Sequence, residues 1–161
     1  MRTSLILKKW AEDLSRYDII VASTGYVSRE IYRHLDRPLS FYCMGSMGNA
    51  LALGMGLALS VKNRVVVFNG DGSALMSLGS MITMKRLKLK NLVHVVLDNN
   101  SHASTGVQKT NSDLVNFSHL CPNTIVYKCE YDSVPPRIPL SPKQITRRLQ
   151  DALKALSNKS V

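Results

Sequence analysis

The chain has 161 residues, 45% of them apolar, and a formal net charge of +10. That length and apolar fraction suit one domain, residues 1–161, with a sizeable core, and no apolar run is long enough to predict a membrane span. The charge raises nucleic acid as a partner, but the basic residues are scattered and few aromatic side chains lie among them for base stacking, so no nucleic-acid partner is expected.

At the amino terminus the apolar patch is short and soon broken by Lys8 and Lys9. It predicts an amphipathic first helix, capped by Thr3 or Ser4, rather than a signal peptide. Residues 18–23 read as a buried strand ending in Thr24-Gly25, followed by a helix over 28–35 that Ser28 caps and Asp36 and Pro38 stop. Residues 39–44 form a short strand, and Gly45-Ser46-Met47-Gly48 opens a long apolar helix over 49–61. A second buried strand, 65–68, breaks into Gly70-Asp71-Gly72 and a helix whose end carries Lys85, Arg86, Lys88 and Lys90. Cations there complement the helix dipole. The apolar run 92–97 breaks into Asp98-Asn99-Asn100. A helix from Ser112 or Asp113 toward Leu120, a strand over 124–129, a stiff extended stretch with Pro135, Pro136, Pro139 and Pro142, and a closing helix over 143–156 capped by Ser141 complete the chain.

Alternating strands and helices of this kind predict an α/β fold: a doubly wound, mainly parallel sheet with helices on both faces. The three cysteines, Cys43, Cys121 and Cys129, form no paired spacing, so neither a disulfide framework nor a zinc site is indicated and a cytoplasmic location is expected. His34, His94 and His119 fall on regular elements without ligand spacing and are read as structural.

Two strands that discharge polar clusters from the same type of end place those clusters at one crevice. Asp71 offers a carboxylate oxygen and Asn99 an amide oxygen, with 27 residues between them, enough for one helix and its turns. Such ligands suit magnesium, which accepts few protein donors and completes its shell with water and phosphate oxygens. Gly72 and Ser73 would aim backbone N–H groups, and Ser73 its hydroxyl, at an anion at the helix start. Gly-Asp-Gly alone is also ordinary turn punctuation, as are Thr24-Gly25 and the Gly45–Gly48 turn, with Met47 as core filler.

Gly70-Asp71-Gly72, its spacing to Asn99 and the apolar strand before Asn99 resemble the thiamin-diphosphate motif of the 2-oxoacid decarboxylase superfamily. The resemblance implies that Asp71, Asn99 and the main-chain carbonyl of Ser101 hold magnesium. Asp98 departs from the first asparagine of many members, and Asn100 leaves the register open by one; His102 and the run Ser104, Thr105, Gly106, Gln108, Thr110 favour Asn99. In related enzymes a G-x-[hydrophobic]-G segment contacts the cofactor. That places the Gly45 carbonyl at the aminopyrimidine amine and Met47 as the wedge that bends the cofactor, with Ser46 beside them. The stretch STGYVSREIY is similar to the first diphosphate loop of phosphonopyruvate and sulfopyruvate decarboxylases, which implies cofactor contacts by Thr24 and Gly25.

The superfamily's catalytic glutamate lies on a separate pyrimidine-binding domain. Glu30 sits in the diphosphate loop and is not assigned that role. The resemblance therefore implies the diphosphate-binding (beta) subunit of a split, magnesium-dependent decarboxylase in an α2β2 or higher hetero-oligomer. A pyrimidine-binding alpha subunit supplies the glutamate. The expected substrate is an anionic 2-oxoacid, 3-sulfopyruvate or 3-phosphonopyruvate, which yields an aldehyde and carbon dioxide. A carboligase subunit and a catalytically silent regulatory subunit share the same motifs. His102 would contact the substrate anion or relay a proton, or else make a structural hydrogen bond.

Overall fold

The computed structural model describes residues 1–157. Its elements are α1 (Thr3–Asp13), β1 (Ile19–Ala22), α2 (Tyr26–Leu35), β2 (Ser40–Tyr42), α3 (Ala50–Ser60), β3 (Val65–Gly70), α4 (Asp71–Met76) and α5 (Leu78–Leu87). They continue with β4 (Leu92–Asp98), β5 (Ser101–His102), β6 (Gln108–Lys109), a 3-10 turn (Ser112–Leu114), α6 (Phe117–Leu120), β7 (Thr124–Lys128) and α7 (Pro142–Ser157). Five strands form one sheet in the order β2-β1-β3-β4-β7, and every neighbouring pair is parallel.

The apolar runs lack polar alternation because both faces of the sheet are covered. Ile19, Val21, Val65 and Val67 point into a core shared with α3, α4, α5 and α6, while Ile20, Ala22, Val66 and Phe68 point into a second core under α1 and α2. The chain leaves β1 for one face and β3 for the other. The strand order therefore reverses between these two neighbours, and a crevice opens at their carboxyl ends. No helix among the described residues is long and apolar enough to cross a membrane.

Helix α3 buries the stripe Ala50, Leu51, Gly54, Met55 and Ala58 against the sheet. Gly54 sets how close it lies: a Cβ there would stand 2.1 Å from Cγ2 of Val67.

Several predicted caps give way to tertiary bonds. Thr3 is buried and donates its hydroxyl to the Glu130 carbonyl at 2.9 Å, leaving Arg2 as the N-cap of α1 with no side-chain bond. Helix α2 starts two residues before Ser28, because Gly25 turns the chain at φ 87; the Ser28 hydroxyl then donates back to the Gly25 carbonyl at 3.0 Å. The helix after Gly-Asp-Gly is broken at Ser77, whose hydroxyl donates to the Ser73 carbonyl at 3.0 Å and competes with the backbone ladder. Ser112 does not start a long helix, since its hydroxyl is drawn to Asp98 at 2.7 Å; α6 begins later, capped by Asn116. Ser141 does cap α7, in a capping box: its N–H donates to Gln144 Oε1 at 2.8 Å and Gln144 N–H donates to its Oγ at 3.3 Å.

Gly54→Ala should lower stability by roughly 1–3 kcal/mol through overpacking against Val67, more than the ~1 kcal/mol that alanine adds to an exposed helix. Urea unfolding monitored by circular dichroism reads the difference; an unchanged midpoint would mean that α3 shifts freely on the sheet.

Candidate functional site

The crevice is walled by the loops after β1, β3 and β4 and lined by Thr24, Met47, Gly70, Asp71, Gly72, Asn99 and Ser101, among others. Asp71 is the first residue of α4 and only 1% exposed. Thr110 donates its hydroxyl to Asp71 Oδ2. One terminal atom of the Asn99 amide lies 3.1 Å from Asp71 Oδ1 and 2.9 Å from the Ser101 carbonyl oxygen, and the other lies 3.1 Å from Ser101 Oγ. With nitrogen as the first atom, the amide donates to both oxygens. With oxygen there, three oxygens face one another, which a cation reconciles.

The spacing tests which cation. Oxygen ligands about 2.0–2.1 Å from an octahedral magnesium stand roughly 3 Å apart along each edge, and the two separations at Asn99 match. Among the described residues no three His, Cys, Asp or Glu side chains gather into a metal cluster. The donor set is thus one carboxylate with neutral oxygens, which suits magnesium and not zinc.

Asp98 and Asn100 face elsewhere. Asp98 is buried; its Oδ1 accepts from Asn100 N–H at 3.0 Å and its Oδ2 from Lys128 Nζ at 2.5 Å. Asn100 turns at φ 54, and its Oδ1 accepts from Ser112 N–H at 3.2 Å. Asn99 alone of the three is aimed at Asp71. Burial pushes the Asp71 carboxyl above its ordinary range and nearby Asp98 adds to this, against the hydrogen bond from Thr110.

Glycines shape the remaining walls. Gly45 and Gly48 turn at φ 71 and φ 86. Gly45 N–H donates to Thr24 Oγ1 at 3.4 Å, which joins two of the predicted loops. A Cβ on Gly72 would lie 2.5 Å from Cε1 of His102 and 3.0 Å from Cε of Met47, so the imidazole and the thioether close over a bare backbone. Gly25 is held as closely, 3.1 Å from Ser104 Oγ by the same construction.

Two predicted contacts are redirected. The Ser73 hydroxyl is engaged within the protein: it accepts from Gly48 N–H at 3.0 Å and donates to Asn69 Oδ1 at 3.2 Å. Only its backbone remains at the start of α4. Ser46 accepts at its carbonyl from Asn49 N–H at 3.2 Å, within the turn.

Several contributors lay beyond sequence reasoning. Asn69 Nδ2 donates to His94 Nε2 at 3.0 Å, which assigns the proton to Nδ1, 3.1 Å from Thr124 Oγ1. Burial drives the His94 pKa down to about 3, so this histidine stays neutral, in the structural role expected of it. Tyr26 and Tyr131 also line the crevice and meet edge to face with centroids 5.4 Å apart. Tyr26 followed Thr24-Gly25 in sequence and could have been found there; Tyr131 lies outside every motif.

The family model of the thiamine pyrophosphate enzyme C-terminal TPP-binding domain matches residues 23–155. The chain belongs to this family. It is 45% identical over 107 residues to the sulfopyruvate decarboxylase subunit beta of Methanocaldococcus jannaschii, covering 66% of this chain and 57% of that one. It is 44% identical over 126 residues to the phosphonopyruvate decarboxylase of Streptomyces viridochromogenes, covering 76% of this chain and 32% of that one. The chain thus spans little more than half the length of the first relative and a third of the second. A solved structure from Mycobacterium smegmatis, described as a thiamin diphosphate-dependent enzyme, superimposes with a TM-score of 0.63 over 96% of this chain and 29% of its own. At 21% identity it is a likeness of fold.

Because the folded state favours protonated Asp71, this residue's contribution to stability is complete below its ordinary value of 3.8 and is lost as pH rises through the higher folded value. In metal-free protein, Asp71→Asn should therefore be more stable than wild type at neutral pH, with the gap closing on acidification. Chemical denaturation in EDTA across that range measures it, and a wild type that is the more stable at neutral pH would contradict it.

Proposed function

We propose that this chain is the diphosphate-binding part of a thiamin-diphosphate- and magnesium-dependent decarboxylase acting on an anionic 2-oxoacid, 3-sulfopyruvate or 3-phosphonopyruvate. The observation that carries the reading is the convergence of Asp71, Asn99 and the Ser101 carbonyl beside a glycine-walled crevice. The relatives' names, a sulfopyruvate decarboxylase subunit beta and a phosphonopyruvate decarboxylase, support the reaction and the substrate class.

When bound, thiamin diphosphate supplies the electron sink that makes loss of carbon dioxide from a 2-oxoacid feasible. The Asp71 and Asn99 side-chain oxygens and the Ser101 carbonyl would hold magnesium. The backbone N–H groups of Gly72 and Ser73, at the start of a helix, would meet the negative charge of the diphosphate. Gly70 and Gly25 allow the main chain to approach, and the Thr24 hydroxyl is a further donor. The Gly45 carbonyl would accept from the aminopyrimidine, while Met47, already against Gly72, acts as the apolar wedge. His102 shares that wall, from which its imidazole binds the substrate anion or transfers the proton that completes the aldehyde.

The carboxylic acid that must face the pyrimidine ring comes, in this reading, from a separate pyrimidine-binding subunit in an α2β2 or higher assembly. The name "subunit beta" among relatives supports such a partner. The free thiols of Cys43, Cys121 and Cys129 suit the reducing cytoplasm.

The test is an assay of this chain mixed with its pyrimidine-binding partner, in which carbon dioxide and aldehyde should form from one of the two acids. Full-rate turnover by this chain alone would overturn the split arrangement. Asp71→Ala should abolish magnesium-dependent cofactor binding in calorimetry. His102→Ala should slow turnover roughly 10²–10⁴-fold if it moves a proton with cofactor affinity nearly unchanged; lost cofactor binding at an unchanged rate would count against that role.

A further inference from the structure

A second hollow adjoins the first. Thr24, Ser104 and Thr105 line both, and the second is completed by the Gly45 turn, the start of α2 and the proline-rich segment before α7. Its charged lining residues are Arg29 and Arg137, with no carboxylate among the lining side chains.

Neither arginine is paired with a carboxylate among the described residues, in contrast to the arginines buttressed by ion pairs. Arg64 pairs with Asp13 and Asp18, and Arg148 with Asp36. Arg29 is half-buried, yet no carboxylate pairs with it among the described residues. Its guanidinium donates to the Pro135 carbonyl at 3.3 Å and lies 5.4 Å over the Tyr26 ring. That bond ties the proline-rich segment to α2, and Arg137, two residues on, lines the same hollow. Arg137 is exposed and has neither hydrogen bond nor ion pair among the described residues. Two like charges on one hollow raise each other's energy, and an anion between them removes that cost. Guanidinium groups match tetrahedral oxyanions through forked donors, and the hydroxyls of Ser104 and Thr105 add neutral donors at the shared wall.

We propose that Arg29 and Arg137, with Ser104 and Thr105, form the subsite for the second anion of the substrate, the sulfonate or phosphonate borne on the carbon next to the keto group. Ile138 and Met44 on the same hollow provide apolar surface for that methylene. The subsite rests on the decarboxylase reading above and adds the residues that set its specificity. The metal crevice keeps its own donors for the diphosphate, so the arginines serve a different group.

The test uses the enzyme assembled with its pyrimidine-binding partner, thiamin diphosphate and magnesium. Arg137 has no partner to lose, so Arg137→Gln should fold normally. We expect its kcat/KM for the anionic acid, relative to that for pyruvate, to fall roughly tenfold to a hundredfold, as when one charge-assisted hydrogen bond is lost. The inhibition constant of 3-sulfopropanoate, which keeps both anions and lacks the keto group, should rise by a similar factor, and Arg137→Lys should restore part of both. Sulfopyruvate and phosphonopyruvate are run in parallel, and the acid with the larger wild-type kcat/KM identifies the anion. An unchanged ratio in Arg137→Gln, or a rise in the cofactor dissociation constant by the same factor, would overturn the subsite. A wild type that turns over pyruvate but neither anionic acid would also overturn it, whereas a wild type inactive on all three removes the decarboxylase reading beneath it.

Discussion

Asp71 is a buried carboxylate with no basic side chain of its own, and the rest of the site answers to that. Taking a carboxylate out of water costs several kcal/mol unless charge or hydrogen bonds replace the lost hydration. Asp98 is buried nearby, and the Lys128 ammonium pairs with Asp98 rather than with Asp71. Thr110 gives Asp71 a hydrogen bond but no charge. The deficit is one negative charge in a low-dielectric crevice, next to an amide and a carbonyl oxygen already spaced for a shared cation. A divalent ion would neutralise Asp71 and leave positive charge to meet the diphosphate of the proposed cofactor. The raised carboxyl pKa is the same deficit seen through protons: without a metal, the proton is the cation nearest to hand.

A polar chain links the elements that carry these donors. Gly48 N–H donates to Ser73, Ser73 to Asn69, Asn69 to His94, and His94 to Thr124. It ties the Gly45–Gly48 turn to α4, β3, β4 and β7. Every member has a partner, which is the condition under which a buried polar network adds rigidity rather than cost. His94 must be neutral for Nε2 to accept, and its strongly lowered pKa keeps it so throughout the physiological range. The turn that carries Met47 therefore rests on a pH-insensitive footing.

Most of the fold was legible because its signals are short-range. Runs such as Val65 to Phe68 demand burial on both faces, and a glycine or asparagine cluster marks where each run ends. Asp71 and Asn99 could be matched in sequence because one helix separates them and both sit at strand ends. Thr110 and Lys128 could not be seen as partners of Asp71 and Asp98, since they arrive by a two-stranded hairpin and by a neighbouring strand. The same long-range pull misled the reading of Thr3 and Ser112: each hydroxyl suited a cap locally and donates instead to an acceptor distant in sequence, the Glu130 carbonyl and Asp98. Ser141, exposed and without such a competitor, capped its helix as its sequence predicts.

The carboxylates of the chain also bear on the proposed partner. Thiamin chemistry requires an acid against the pyrimidine ring, and Glu30 is the only glutamate close in sequence to the first loop. It lies on the buried face of α2 beneath α1, not on either hollow. Its Oε2 is 3.2 Å from His34 Nε2, Oε1 lacks a partner, and burial pushes its pKa up. Asp71 is the one carboxylate on the crevice lining among the described residues, and in the proposed role of metal ligand it could not also serve the pyrimidine. The side of the crevice that offers Met47 and the Gly45 turn thus presents apolar and main-chain surface without an acid. Under the proposed function, the proton-transfer group for a pyrimidine held there would come from the pyrimidine-binding partner.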